Sequence, residues 1–342
     1  MNKTVIQPSV YNLLIQVNIT TQIYNGTVEV TVHTTKNLTF FTLNAASNLL
    51  VNLVSIIGRN NVQIESQLFR YQPMDYVVIR FDRPQPAGQY VLKFNFSANL
   101  SDSGWSGLYL SNYIQNNQIK RIASTQFEFY DARKVFPCFD DPAFKSRFTI
   151  AIVHDKKMNV TLSNSDIVSI EPVAGISNWL LTKYHESPLM PVYLVALLIS
   201  DFVCVTNVSN NVRYKVCATQ NHEKHKLNYA LDLAPRVLQH LEALTQISYP
   251  LNKVDLVAIP YFTHGAMENW GLITFRESLL LYSDSETTSH QKMNIAATIA
   301  HELAHFVSYF VDLCSHICKM FVHIFFSGLA IWSHVSGGII CG

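Results

Sequence analysis

The amino-acid sequence predicts a β domain followed by a mixed α/β domain, and three observations carry that prediction. Within residues 1–202, runs of apolar and polar residues alternate with a period of two, as in Val28-Glu29-Val30-Thr31-Val32 and Tyr90-Val91-Leu92-Lys93-Phe94-Asn95-Phe96. That period puts every second side chain on one face of a strand. Turn signals such as Asn25-Gly26 and Pro86-Ala87-Gly88 separate the runs. Beyond residue 202 the texture changes, and Leu227, Leu231, Leu233, Val237, Leu238, Leu241 and Leu244 fall at helical spacings. The chain has 342 residues, 49% hydrophobic and 14% charged, enough for two packed cores and unlike a disordered chain. Its net charge of +1 gives no basis for a nucleic-acid partner.

Many short strands without intervening helical periodicity argue for antiparallel sheets, arranged as a sandwich or saddle over residues 1–202. Residues 192–199 are apolar throughout and read as a strand buried on both faces. Ser200-Asp201-Phe202 is the expected domain boundary. Residues 203–306 then supply a helix over 227–244, broken before Tyr249-Pro250, and strands over 254–259 and 272–275. A second helix opens near Thr288, where Thr288-x-x-Gln291 has the form of a capping box.

Six cysteines are too few for a disulfide scaffold in a chain of this length. Cys204 and Cys217 are equidistant from Asn210-Asn211, a hairpin turn signal, which makes them a directly opposed pair with Cα atoms about 4.5 Å apart. A bridge and two free thiols in a core strand both remain open. Sequons of the N-x-S/T type begin at Asn2, Asn18, Asn25, Asn37, Asn95, Asn99, Asn159 and Asn207. Their number points to an extracellular or membrane-bound ectodomain. The N-terminus has no apolar stretch of signal-peptide length, so a signal or membrane anchor is expected upstream of Met1.

The chemistry gathers around His301-Glu302-Leu303-Ala304-His305. Histidines four apart on a helix lie one turn apart on one face, so both imidazoles can meet one metal ion. Glu302 lies close enough to take a proton from water at that ion. An apolar core helix carrying His and Glu by accident is the competing reading of these five residues alone. Two longer stretches precede them. Gly265-Ala266-Met267-Glu268-Asn269-Trp270-Gly271 leads into Thr274-Phe275-Arg276-Glu277, and Thr125-Gln126-Phe127-Glu128 leads into Asp131-Ala132-Arg133-Lys134-Val135-Phe136-Pro137-Cys138-Phe139-Asp140.

Together these stretches resemble the aminopeptidase N-like family of gluzincins, and the resemblance runs from about Val5 to His305. It implies that residues 203–306 are the front part of a thermolysin-like zinc peptidase domain, incomplete in this chain. It implies removal of N-terminal residues from peptides with a free N-terminus, through one Zn2+ held by His301, His305 and a third ligand. Glu302 would be the base, and Glu268 would hold the substrate α-ammonium with a hydrogen bond added by Gln126. Backbone at Gly265 and Ala266 would line the substrate strand, with Met267 and Asn269 in the same motif. His264 departs from the small residue expected before Gly265. It would narrow the pocket for the N-terminal side chain and favour acidic or polar residues; a tolerated loop residue is the alternative.

The resemblance places the third ligand at position 324, which is Ile324. Asp312, about 10 Å further along a continuous helix, and His323, about 100° off in helical phase, are poor substitutes. A catalytic zinc site needs three protein ligands, so the expectation is a truncated form with weakly held zinc and little turnover. The rival expectation is a non-catalytic product, either a peptide-binding or decoy ectodomain or a misfolded chain. Residues 307–342 are an apolar tail without family resemblance, with Asp312 and Lys319 as their only charged side chains besides histidine and with Cys314, Cys318 and Cys341. Three readings of the tail are a translated intron opening at Val307-Ser308, a membrane segment over 320–340 and, more weakly, a zinc knuckle. A transcript read through the Val307-Ser308 codons is expected to show intron sequence there; a continuous exon would dispose of the first reading.

Overall fold

The computed structural model describes residues 4–101 and 106–308, with side chains to residue 306. The largest sheet has seven strands in the order Ile167–Pro172, Trp179–Tyr184, Arg147–Asp155, Ile6–Asn18, Ile23–Thr34, Gly88–Asn99 and Leu50–Ile57. Its buried face carries Tyr11, Leu13, Ile15, Val28, Val30, Phe94 and Ile152, the members of the period-two pattern. A four-stranded and a three-stranded sheet complete this part of the chain. Pairing is antiparallel except between Ile6–Asn18 and Arg147–Asp155, which run parallel from Val10↔Arg147 to Gln16↔Val153. A parallel pair needs a long crossover, and the two smaller sheets draw strands from the chain between those partners.

Residues 192–199 are buried as expected apart from half-buried Tyr193, but they are not one strand. Val192–Leu194 forms a 3-10 turn, and the strand is only Leu197–Ser200. The Asn164 side chain intervenes: its Nδ2 donates to Leu194 O (2.7 Å) and its Oδ1 accepts from Ala196 N (3.0 Å). Side-chain partners satisfy the backbone there, so ladder pairing begins only at Leu197.

The hairpin Val203–Ser209 and Val212–Ala218 turns at Asn210 and Asn211, with φ of 47° and 62°. Both central residues lie in the left-handed region, as a tight two-residue hairpin turn requires. Cys204 faces Cys217 with Cα atoms 4.2 Å apart, and the two form a disulfide. This hairpin begins a five-stranded sheet that continues through Lys253–Ile259, Leu272–Arg276 and Ala266–Met267. Lys253–Ile259 is parallel to both neighbours and buried along its whole length. Helix α1 (Asn228–Thr245) buries Ala230, Leu231, Ala234, Val237, Leu238 and Leu241 as one stripe, and it packs beside helix α2 (Ser289–Ser308).

Two buried side chains latch this sheet to the β part. Lys253 Nζ donates to Asp255 Oδ2 (2.6 Å), Ser163 O (2.7 Å) and Gly271 O (2.7 Å), so all three ammonium hydrogens are used. Burial pulls the Lys253 pKa down while Asp255 opposes that shift. Asn164 Nδ2 also donates to Trp270 O (2.8 Å). Gly271 has φ of +73°, and a Cβ there would lie 2.0 Å from Asn164 O, so the contact requires glycine. Lys253→Met, which leaves Asp255 only the distant Arg213 guanidinium at 4.0 Å, is expected to cost up to about 3–5 kcal/mol in urea unfolding. Adding Asp255→Leu should recover most of that loss, because the pair is then replaced rather than broken.

Candidate functional site

The orientation of α2 decides what its polar residues meet. Thr288 Oγ1 accepts from Gln291 N (3.2 Å), and Gln291 Oε1 accepts from Thr288 N (2.9 Å), the reciprocal capping box read from the sequence. Downstream, Ile295, Ile299 and Leu303 recur every turn and are fully buried. That stripe presses α2 onto the core and turns His301, Glu302 and His305 toward an adjoining face.

His301 Nε2 and His305 Nε2 lie 3.0 Å apart. Two ligands of a tetrahedral ion with bonds of 2.0–2.1 Å would be about 3.3 Å apart, so the spacing suits one zinc ion. Burial holds both imidazoles down to about 4, in His301 with a further push from His305. They are neutral at pH 7, the form that ligates a metal.

Carboxylates surround the pair. Glu268 Oε1 is 3.9 Å from His305 Nδ1, and donor atoms of Glu268, Glu302 and His305 lie within 4.8 Å of one another. Glu302 is 5% exposed, and its Oε2 has no hydrogen-bond partner among the described residues. Burial, then Glu268, then Glu128 raise the Glu302 pKa well above the carboxylate range. Burial also raises Glu268. Glu128 is raised to about 7 by burial and then by Glu268. Carboxylates stacked in this way out of water are costly unless a cation joins them. A dicationic metal beside the imidazoles and an ammonium beside Glu268 and Glu128 both meet that demand.

The remaining expected residues stand on the sheet edge, on the turn after Glu268 and at the end of one β-part strand. Ala266–Met267 is the outermost strand of its sheet, paired through Ala266↔Phe275 and Met267↔Thr274, and Gly265 O accepts from Arg276 N (2.9 Å). Its other edge faces no strand among the described residues, so its backbone is placed to pair with an extended peptide. The Met267 side chain is fully buried in the core, which leaves its backbone at the edge. The Asn269–Gly271 turn is held by Leu272 N donating to Asn269 O (3.0 Å) and by the Asn164 and Lys253 bonds already described. Gln126 ends the strand Gln118–Gln126; it is 1% exposed, and neither amide atom has a partner among the described residues. Asn269 is equally buried, with Nδ2 unpaired by the same measure.

His264 is exposed, with its ring 5.6 Å from Phe262. Desolvation and then the Arg276 guanidinium lower its pKa, so it is not a ready cation. Arg276 itself bonds Phe262 O (3.1 Å) and Thr263 O (2.5 Å), which brings a permanent positive charge to that loop. Sequence reasoning assigned no role to Arg276 or Glu128. Glu128 lies two residues beyond the end of the strand that Gln126 closes, in a turn. Ile324, Asp312, His323 and the rest of the tail lie outside the described residues.

The sequence matches the Peptidase M1 N-terminal domain over residues 7–194 and the Peptidase family M1 domain over residues 229–315. It is 36% identical over 302 residues to the glutamyl aminopeptidase of Bos taurus, covering 87% of this chain and 31% of that protein. It is 36% identical over 295 residues to aminopeptidase M1-C of Oryza sativa subsp. japonica, covering 86% and 33%. Against aminopeptidase N of Bos taurus it is 37% identical over 232 residues, covering 67% and 24%. The chain spans about a third of the length of the curated relatives it matches. His301→Ala and His305→Ala are each expected to lower zinc affinity by more than the roughly 10–100-fold that loss of an outer-sphere partner costs, read by competition with a chelating dye.

Proposed function

The chain belongs to peptidase family M1, and on that premise we propose that its site serves the zinc-dependent removal of N-terminal residues from peptides with a free α-amine. The convergence of Glu268, Glu302 and His305 donor atoms within 4.8 Å, next to His301, is the observation that carries this reading. His301 and His305 would hold the ion. Zinc, when bound, supplies Lewis-acid polarisation of the peptide carbonyl and acidifies water. Glu302 is the base that receives the proton from the attacking water and returns it to the leaving amine. Glu268, joined by Glu128 and Gln126, takes the α-ammonium and counts the substrate in from its N-terminus. The outer edge of Ala266–Met267 pairs with the peptide main chain and fixes its direction. Arg276 beside His264, and the likeness to a glutamyl aminopeptidase, support an acidic N-terminal residue as the first substrate to try.

Ile324 stands where the family resemblance places the third ligand. We therefore infer weak zinc binding and turnover far below that of a member with a complete ligand set. The amine anchor and the edge strand need no metal, which supports a second reading of the chain as a peptide-binding ectodomain. The disulfide between Cys204 and Cys217 supports an extracytoplasmic location under either reading. No helix among the described residues is long and apolar enough to cross a membrane.

Metal content measured together with hydrolysis of an aminoacyl chromogenic substrate separates the readings. Stoichiometric zinc, with turnover reduced roughly 10^2–10^4-fold by Glu302→Gln, supports the enzyme. A soluble zinc-free chain that binds a peptide with a free but not an acetylated N-terminus, and loses it in Glu268→Gln, supports the binder. A chain that does neither refutes both.

A further inference from the structure

The outer face of the seven-stranded sheet carries a pattern that the peptide site does not use. The sequons at Asn25, Asn95 and Asn99 lie on the adjacent strands Ile23–Thr34 and Gly88–Asn99, with Asn25 opposite Ser97, Thr27 opposite Asn95 and Ile23 opposite Asn99. Side chains alternate across a strand. Residues 23, 25 and 27 therefore share the outer side with 95, 97 and 99, while Tyr24, Val28, Phe94, Phe96 and Ala98 are buried. The same rows hold apolar side chains in the open. Leu14 lies opposite Thr27, Leu50 opposite Ser97, and Asn18 of a fourth sequon opposite Ile23. Leu14, Ile23 and Leu50 are 38%, 44% and 68% exposed. Leu14 and Leu50 line a concavity of about 430 Å³ together with Gln16, Asn25, Thr27 and Asn95, among others, with no charged side chain in its wall.

Two further observations favour a sugar as what covers this face. No described sequon asparagine is buried: Asn25, Asn37, Asn95, Asn99, Asn159 and Asn207 are exposed and Asn18 is half-buried, so each of the six exposed ones is open to modification. The Cys204–Cys217 disulfide belongs to an oxidising compartment, the route on which N-linked glycans are added.

We propose that this face is a glycosylated surface, with N-linked oligosaccharides on at least two of Asn25, Asn95 and Asn99 lying over Leu14, Ile23 and Leu50. The donor is an oligosaccharide on a polyprenyl diphosphate. The asparagine Nδ2 forms a bond to C1 of the first N-acetylglucosamine and gives up a proton, and the C1–O bond to the diphosphate breaks as the lipid diphosphate leaves. Sugar rings present C–H faces to the leucine and isoleucine side chains and hydroxyls to water. That removes an exposed apolar patch without a protein partner. Nothing in this proposal depends on the peptide site being active.

The test expresses the complete chain behind a cleavable signal in a glycosylating eukaryotic host and removes the glycans enzymatically in 18O water. Peptide mass spectrometry then reads occupancy in the secreted and cell-retained pools alike, so a chain that folds poorly still reports. Labelled aspartate at two or three of positions 25, 95 and 99 is expected; label at one or none overturns the proposal. Thr27→Ala, Ser97→Ala and Ser101→Ala should each abolish the glycan on the preceding sequon asparagine, while Thr27→Ser keeps it. Deglycosylation of the folded protein should raise its self-association several-fold in sedimentation; an unchanged monomer would overturn the covering role.

Discussion

Burying Glu268 and Glu302 together, with Glu128 against them, is the constraint on which the rest of the site depends. A carboxylate taken out of water costs several kcal/mol even after relaxation. Burial raises the Glu302 pKa first, and the like charges of Glu268 and then Glu128 raise it further. Among the described residues, Glu302 Oε2 has no hydrogen-bond partner. Two neutral imidazoles beside buried carboxylates favour a cation between them. The proposed placing of a metal ion on one side and a peptide ammonium on the other rests on that arrangement.

Such a site survives only if the scaffold holds it against repulsion, and the scaffold does so from two directions. The Ile295, Ile299 and Leu303 stripe fixes the rotation of α2 and hence the direction of His301, Glu302 and His305. On the opposite wall, Glu268 sits between an edge strand and a turn whose carbonyls at Trp270 and Gly271 are taken by Asn164 and Lys253. Those two side chains also bond Leu194 O and Ser163 O in the β part. Glu268 is thus positioned by the β part as much as by the sheet that carries it.

The legible features were those written in short-range pattern. The two helices, the strands at Lys253–Ile259 and Leu272–Arg276, the capping box at Thr288 and the opposed cysteines at the Asn210-Asn211 turn were all readable from local spacing. Residues 192–199 were not, because the groups that divide them into a turn and a short strand belong to Asn164, some thirty residues earlier. Glu128 and Arg276 went unassigned for a related reason. Each stands in a motif that was read, yet its significance lies in which distant charge or carbonyl it faces.

Local order along the chain therefore determined the secondary structure, the family motifs and the two imidazoles one helical turn apart. Periodicity and turn chemistry act over a few residues and are carried by the sequence itself. Tertiary structure alone decided that Glu128 joins Glu268 and Glu302, that Asn164 and Lys253 lock the turn after Glu268, and that three sequons share one open face with Leu14, Ile23 and Leu50. Electrostatic coupling and burial depend on distance through space. Only the folded register of strands brings those distances within reach.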